Sequence, residues 1–322
     1  MFDVVTLGSA TKDVFLFLDN SSLKPGVNRH FLEIPFDKKI ELKDRMDFSG
    51  GSATNAAATF ASFGKKAAVI AKIGSDEDAE FIVDDLKARK ISTEYLIKTS
   101  GKTPISNILI SSNNDAVILV YRGIEAQLDI SEISLDFDSK WMFFGPLPAG
   151  STNILPKLID YCNEKNINTV MNPGSTELNL KLKKMAPMLK DIDIISMNDE
   201  EARRFVGYSN DIKNAVKLAS AVKKMAIITK GDKGSLVADK EYIYSASAFK
   251  AKQINFVGAG DAYLSGFVNA LMDGKDIGGA ITLGSYNASS VVKKYGAKEG
   301  IVNGYPEEKE ITIRKYKYED VK

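Results

Sequence analysis

The sequence predicts an α/β fold: a mostly parallel sheet with helices on both faces, and a small antiparallel sheet laid over one edge. Three observations carry that expectation. Short β-rich apolar runs, among them DVVTLG (3–8), AAVIAKIG (67–74), WMFFGP (141–146) and AIITKG (226–231), alternate with helical patterns along most of the chain. These runs are almost continuously apolar, as strands covered on both faces are, and such strands belong to parallel sheets. Two stretches, 14–48 and 104–121, break the rhythm with strand-like blocks that carry no helical period.

Taken in order, the first strand, 3–8, leads into DVFLFLD and RHFLEIPFDKKIELKDRMDF, read as strands of the small sheet. Gly50-Gly51 then precede an alanine-rich helix over 52–62, followed by the 67–74 strand and an amphipathic helix over 77–90. PISNILISSNNDAVILVY (104–121) returns to the small sheet, with Asn113-Asn114-Asp115 as its turn signal. Beyond it, strands at 141–146, 168–174, 192–198 and 226–231 alternate with helices at 152–165, 199–206 and 211–224. Leu264, Phe267, Val268 and Leu271 stand at i, i+3, i+4 and i+7 of one more helix, with Gly274 as its stop. EITIRKYKYEDVK at the end reads as one charged, exposed strand or a frayed tail. The 322 residues are expected to form one domain, 1–322, with a discontinuous lid from about 14–48 and 102–123.

Composition excludes several classes of function. With 43 basic and 42 acidic residues the net charge is +1, so no overall field points to nucleic acid or an anionic membrane. A single cysteine, Cys162, forms no internal disulfide and builds no zinc site, and a single histidine, His30, rules out a multi-histidine metal site. The N-terminal MFDVVTLGSA lacks the pattern of a signal peptide, and no window is apolar over the length a bilayer requires. The expected setting is cytoplasmic. GSATKD after the first strand lacks the fingerprint of dinucleotide oxidoreductases, and no P-loop pattern occurs.

In open α/β sheets ligands bind at the carboxyl ends of the strands. Polar and glycine-rich residues follow the apolar runs there: Asp13, Asn172-Pro173-Gly174, Asn198-Asp199-Glu200-Glu201 and Thr229-Lys230-Gly231. The densest is INFVGAGDAYLSGF (254–267). Glycine inside a helix costs about 1 kcal/mol against alanine, so Gly258-Ala259-Gly260 suits a helix start better than a packed interior. Free N–H groups at that start, aided by the helix dipole, make an anion hole that small side chains leave open. Asp261 sits beside it. A carboxylate there repels a bound phosphate, but it is useful if it takes a proton from a hydroxyl that attacks the phosphate. By itself a G-x-G-D stretch also reads as a first-turn aspartate complementing the dipole.

The ordered pair of SGGSATNAA (49–57) and NFVGAGD (255–261) resembles the two signatures of the ribokinase, or PfkB, family of sugar and nucleoside kinases, and the likeness extends over essentially the whole chain. It implies a ribokinase-like three-layer sandwich with a β lid, and ATP-dependent phosphorylation of an alcohol. On that resemblance Asp261 would be the catalytic base, with the N–H groups of Gly258, Ala259 and Gly260 holding the transferred phosphoryl group. NDEE (198–201) is similar to the family's asparagine-x-x-glutamate motif, so Asn198 and Glu201 would arrange Mg2+ and its waters; alone it is an acid-rich helix start. TKGDKGS (229–235) looks like the nucleotide loop, putting Thr229, Gly231 and Gly234 near ATP, although alone it reads as a hairpin turn. Asn287 in GSYNAS would lie by the adenine.

Asp13, Gly50, Gly51 and Asn55 match the acceptor positions, the glycines admitting a sugar ring against backbone. Independently of the resemblance, Arg122 in YRGIEA reads either as reaching a charged or polyhydroxylated acceptor from the lid or as a solvated surface arginine. Asn255 and Phe256 stand where the signature has aspartate and threonine; that aspartate helps many relatives hold a monovalent cation, so a need for K+ is open here. GGSATNAA also lacks the lysine of true ribokinases, which leaves the sugar undefined. A nucleoside kinase, with Phe15, Phe17 or Phe31 stacking a base, is the close alternative, and a non-catalytic nucleotide-binding protein on the same scaffold the more distant one. The lid's open edge suggests a homodimer.

Overall fold

The computed structural model describes residues 1–18, 23–25, 30–32, 34, 36–37, 39–111, 115–126, 128–148, 151–307 and 311–320. Chain order begins with β1 (Phe2–Leu7), β2 (Thr11–Leu18), the short β3 (Leu23–Pro25) and β4 (His30–Leu32), and β5 (Leu42–Gly50). Helix α1 (Ser52–Ser62), β6 (Ala67–Ile73), α2 (Glu77–Ala88), β7 (Leu96–Lys98), β8 (Ile105–Ile110) and β9 (Ala116–Tyr121) follow. The remainder runs β10 (Ser139–Phe144), α3 (Leu155–Glu164), β11 (Asn168–Met171), α4 (Ser175–Asn179), α5 (Lys181–Leu189), β12 (Ile194–Asn198), α6 (Asp199–Val206), α7 (Asp211–Ala221) and β13 (Met225–Thr229). It closes with β14 (Ser235–Ala238), β15 (Tyr242–Ala246), α8 (Ala259–Met272), α9 (Ile277–Val291) and β16 (Ile313–Lys317).

The large sheet has the order β16-β15-β14-β13-β12-β11-β10-β1-β6-β7. From β7 to β13 every pairing is parallel, as the apolar runs predict. Successive residues of these strands feed opposite faces. Val4, Phe143, Ile194 and Ile227 enter one core with Phe267 of α8, whereas Val5, Phe144, Ile195 and Ile228 enter the other with Leu158 of α3. That two-residue alternation between two apolar layers makes a sheet between helices, which is the three-layer sandwich. Asp76, Asn210 and Asp276 cap α2, α7 and α9 through their side chains. Leu264, Phe267 and Val268 of α8 are fully buried, and Gly274 takes φ +73° just past its end.

The small sheet has the order β5-β2-β8-β9, with a core of Phe15, Ile108 and Ile110. Its hairpin-like pairs, β2–β5 and β8–β9, are antiparallel, but β2 and β8 run parallel, because both leave the same end of the large sheet. β3 and the antiparallel β14 and β15 are additional to the expected strands, while β4 falls within the expected block RHFLEIPFDKKIELKDRMDF but pairs with β3 in a separate ribbon. The C-terminal segment resolves in favour of a strand: β16 pairs with β15 and lays Lys315 over the rings of Tyr242 and Tyr244. Asn113 and Asn114 of the expected lid turn, and the side chains of His30 and Phe31, lie outside the described residues.

Candidate active site

Two helix starts face each other at the carboxyl end of the large sheet. Gly51 is the N-cap of α1 with φ +95°, and Gly258 is the N-cap of α8 with φ +81°. Both positive angles favour glycine, and neither position has room for more: a Cβ at Gly51 would lie 2.4 Å from the Ser9 carbonyl oxygen, and one at Gly258 2.4 Å from the Ala297 Cβ. Asn55, in the second turn of α1, donates through Nδ2 to Asp261 Oδ2 across the junction at 3.0 Å. Asn55 Oδ1 is buried with no partner among the described residues, an acceptor left for a group the protein does not supply.

On the lid side of this contact lies Asp13, buried at 3 % exposure in β2. Thr11 Oγ1 donates to its Oδ1 at 2.9 Å, and Ser106 on the parallel β8 adds a second hydroxyl. Gly50, at the end of β5, is small for the sake of this carboxylate, since a Cβ there would stand 1.9 Å from Asp13 Oδ2. The glycine pair therefore makes room for Asp13 and Ser9, a closer constraint than admitting a sugar ring.

On the other side a pocket of about 400 Å³ collects Thr229, Gly231, Gly234, Ala259, Gly260 and Tyr263. A volume of that size falls within the range of small-molecule sites. The nucleotide-loop residues thus meet the start of α8 in one cavity. Gly234, with φ +90°, bends the loop; Lys230 N–H closes it onto Gly234 O at 2.8 Å, so the hairpin and the pocket wall are the same segment. Gly260 is exposed, and a Cβ on it would meet no atom nearer than Asn172 Nδ2 at 3.9 Å. The first-turn N–H groups of a helix lack intrahelical acceptors. Here the Ala259 N–H closes a turn on Phe256 O at 3.3 Å.

Asn198 ends β12 directly beside Thr229 of β13. It forms a capping box with Glu201: Asn198 Oδ1 accepts from the Glu201 N–H at 2.8 Å and Glu201 Oε2 from the Asn198 N–H at 2.9 Å. Burial pushes the Glu201 carboxyl above the usual range. One amide and one carboxylate, pinned at a strand end, suit Mg2+ that keeps most of its waters. Among the described residues no cluster of three or more histidine, cysteine or acidic side chains could form a protein-only metal cage.

Desolvation dominates the electrostatics. Asp261, half-buried at the start of α8, is pushed up to about 7 by burial and further raised by the Asp13 charge, while the Asn55 hydrogen bond and the Lys298 charge act against the rise. Burial also raises the Asp13 carboxyl, against the hydroxyls of Thr11 and Ser106 and the charge of Lys298. The two neighbouring carboxyls disfavour each other's ionisation.

Other expected residues stand apart. Asn287 is fully buried, and its carboxamide is used inside the protein: Nδ2 donates to Ala262 O (2.8 Å) and Thr59 Oγ1 (3.2 Å), and Oδ1 accepts from the Val302 N–H (3.1 Å). Ser285, Ala288 and Ser289 of the same helix line the pocket instead. Arg122 is exposed just past β9, and among the described residues no hydrogen bond or ion pair joins it to Asp13, Asn55 or Asp261. Phe15 is buried edge-on against Phe48 and Tyr295, and Phe17 packs on Tyr295 at 4.8 Å.

Asn255 bears on the monovalent cation. Its Oδ1 accepts from the Val257 N–H at 3.0 Å, which directs Nδ2 toward the carbonyls of Lys294 (3.3 Å) and Val257 (3.4 Å). A cation among these oxygens would meet an N–H donor in place of a carboxylate, so the residues present do not fit one.

Sequence reasoning passed over Lys298, whose buried ammonium acts on both Asp13 and Asp261, because nothing in AKEGI marks a lysine as interior. It also gave Phe256 no place; that ring, 45 % exposed, lines the pocket.

The family model described as pfkB family carbohydrate kinase matches residues 4–303. A ribokinase of Staphylococcus aureus is 29% identical over 92% of this chain and 96% of its own length. An adenosine kinase of Sinorhizobium meliloti superposes with TM-score 0.77 at 21% identity, over 94% of this chain and 97% of that one. An Arabidopsis thaliana ribokinase complexed with ribose and ATP superposes with TM-score 0.74 at 19% identity, over 93% and 95%. Among the described residues no helix is long and apolar enough to cross a membrane.

Proposed function

Because the chain belongs to the pfkB family of carbohydrate kinases, we propose that it transfers the γ-phosphoryl group of ATP to a hydroxyl of a small sugar or sugar derivative, with Asp261 as the base. The observation that carries the reading is Asp261 in the first turn of α8, bonded to Asn55 at 3.0 Å and pushed up to about 7. A carboxylate with that affinity for protons matches a general base working near neutral pH.

The chain's residues divide the work. Asp13 and the unpartnered Asn55 Oδ1 hold acceptor hydroxyls, and orient one of them toward Asp261. As that oxygen attacks, its proton passes to Asp261. The N–H groups at Gly258 and Gly260, with that of Ala259 once it turns from Phe256 O, stabilise the charge on the transferred group. Thr229, Gly231 and Gly234 seat the nucleotide. Asn198 and Glu201 would hold Mg2+ through its waters, and the metal would neutralise phosphate charge. The lid, ordering over acceptor and nucleotide, excludes water as a rival acceptor. Asn255 makes this kinase independent of K+.

A nucleoside acceptor is the second reading, favoured by the likeness to an adenosine kinase. Against it, Phe15 and Phe17 are engaged with Phe48 and Tyr295, which leaves neither ring free to stack a base. The lid also supports a homodimer: Val117 to Tyr121 on the edge strand β9 are 40–54% exposed, an apolar row that a second copy would cover. A monomer by light scattering at micromolar concentration would count against the dimer. A cytoplasmic setting completes the proposal.

The test is ADP release from ATP and Mg2+ across a panel of sugars and nucleosides. Turnover with sugars alone supports the proposal; turnover with nucleosides alone replaces it with the second reading. ATP binding without turnover on any acceptor would speak against a kinase of either class.

A further inference from the structure

Three consecutive residues near the C-terminal end touch three parts of the site. A Cβ on Gly296 would enter the Phe48 ring at 2.7 Å, Ala297 packs against Gly258, and Lys298 reaches the acceptor side. Lys298 is 3 % exposed, and it is the only lysine or arginine buried among the described residues. Its Nζ donates to Ser49 O (2.8 Å), Ser49 Oγ (2.7 Å) and Asp85 Oδ2 (3.2 Å). Ser49 immediately precedes Gly50, the residue pressed against Asp13. Burying a lysine is costly unless its charge is used, and Asp85 is already served by Arg89 at 2.8 Å.

Resting on the kinase reading, we propose that Lys298 is a positioning residue for phosphoryl transfer, pinning Ser49 and the Gly50-Gly51 turn to the segment beneath the anion hole and balancing the negative charge of Asp13 and Asp261. Its three hydrogen bonds fix the floor on which the acceptor lies, while Ala297, one residue earlier, fixes Gly258. Acceptor and anion hole are thereby held in register by one short segment. The groups facing Lys298 are Asp85 of α2, Arg89 just past its end, Asp13 of β2 and Asp261 of α8, with Glu299 bonded to Arg89 at 3.1 Å. Burial pulls the lysine itself down to about 8, so its charge is present at neutral pH and fades above that value.

The experiment compares Lys298→Met with wild type. Expected are a rise of about tenfold or more in acceptor KM, ATP affinity within about twofold, and an acid limb of kcat/KM displaced to higher pH, because both carboxylates lose a neighbouring positive charge. Unchanged acceptor KM and an unmoved acid limb in a folded variant would overturn the proposal, whatever happens to its melting temperature. If Lys298→Met does not fold, Lys298→Met/Asp85→Asn removes the stranded carboxylate and is read by the same criteria. If that too fails, Ser49→Ala, which removes one acceptor of the Lys298 ammonium, decides: a raised acceptor KM with unchanged ATP affinity upholds the role, and an unchanged KM refutes it. Failure of the kinase reading is distinguishable, since wild type would then turn over no acceptor at all.

Discussion

The two sides of the cleft are built on opposite principles. The proposed nucleotide side uses backbone and small residues: an exposed Gly260, a hairpin bent at Gly234, and a pocket of about 400 Å³ with few charged groups in its wall. The proposed acceptor side uses buried charge and amide, with Asp13, Asn55 and Lys298 each no more than 5 % exposed. Backbone donors read the shape and charge of a phosphate chain and tolerate variation in whatever hangs from it. Buried polar side chains demand partners, and an acceptor lacking one hydroxyl leaves them unpaired. Selectivity for the acceptor is therefore expected to be far stricter than for the nucleotide.

The sharpest test of that contrast is Asp261→Asn. Turnover should fall by about a thousandfold or more while ATP binding persists, as read by ADP release beside calorimetry. The same variant should melt at a higher temperature near pH 8. A carboxyl whose value rises from 3.8 to about 7 on folding withholds stability as pH climbs through that window, and the full penalty stands above it. For the same reason wild-type kcat/KM should fall as pH drops below about 7.

Gly50→Ala comes next. Its Cβ would meet Asp13 Oδ2 at 1.9 Å, so acceptor kcat/KM should drop by about a hundredfold with ATP affinity unchanged. An equal loss on both sides would erase the distinction between them. Asn287→Ala should cost about 2 kcal/mol in urea unfolding, through the orphaned partners of three buried hydrogen bonds, yet alter ATP KM less than about twofold. The smallest effect is expected from K+. Replacing it by tetramethylammonium should leave wild type unchanged, whereas Asn255→Asp, which sets a carboxylate against the Lys294 and Val257 carbonyls, should melt lower without K+ and recover with it.

The contrast also explains what was legible in the sequence. The nucleotide side follows regular elements: apolar runs fix where strands end, and Gly258-Ala259-Gly260-Asp261 announces a helix start that has to stay open. Thr229, Gly231 and Gly234 fall into the pocket because they stand at the end of β13 and in the loop that leads from it to β14. The acceptor side depends on contacts between segments far apart in the chain. Lysine is ordinarily a surface residue, so Lys298 carries no local sign of its burial. The nucleotide side has its own exception in Asn287, expected by the adenine but held by Thr59, Ala262 and Val302. Parallel pairing of β2 with β8 was equally hidden, since periodicity identifies a strand but not its neighbour.

That pairing bears on the order of refolding. Antiparallel neighbours can zip from a turn, but Lys12 pairs with Ile105 only across a long intervening loop. The proposed acceptor side reaches further still, joining Asn55 to Asp261 and Ser49 to Lys298 across more than 200 residues, whereas the pocket's lining falls within 229–292. A refolding time course should therefore recover ATP binding ahead of turnover.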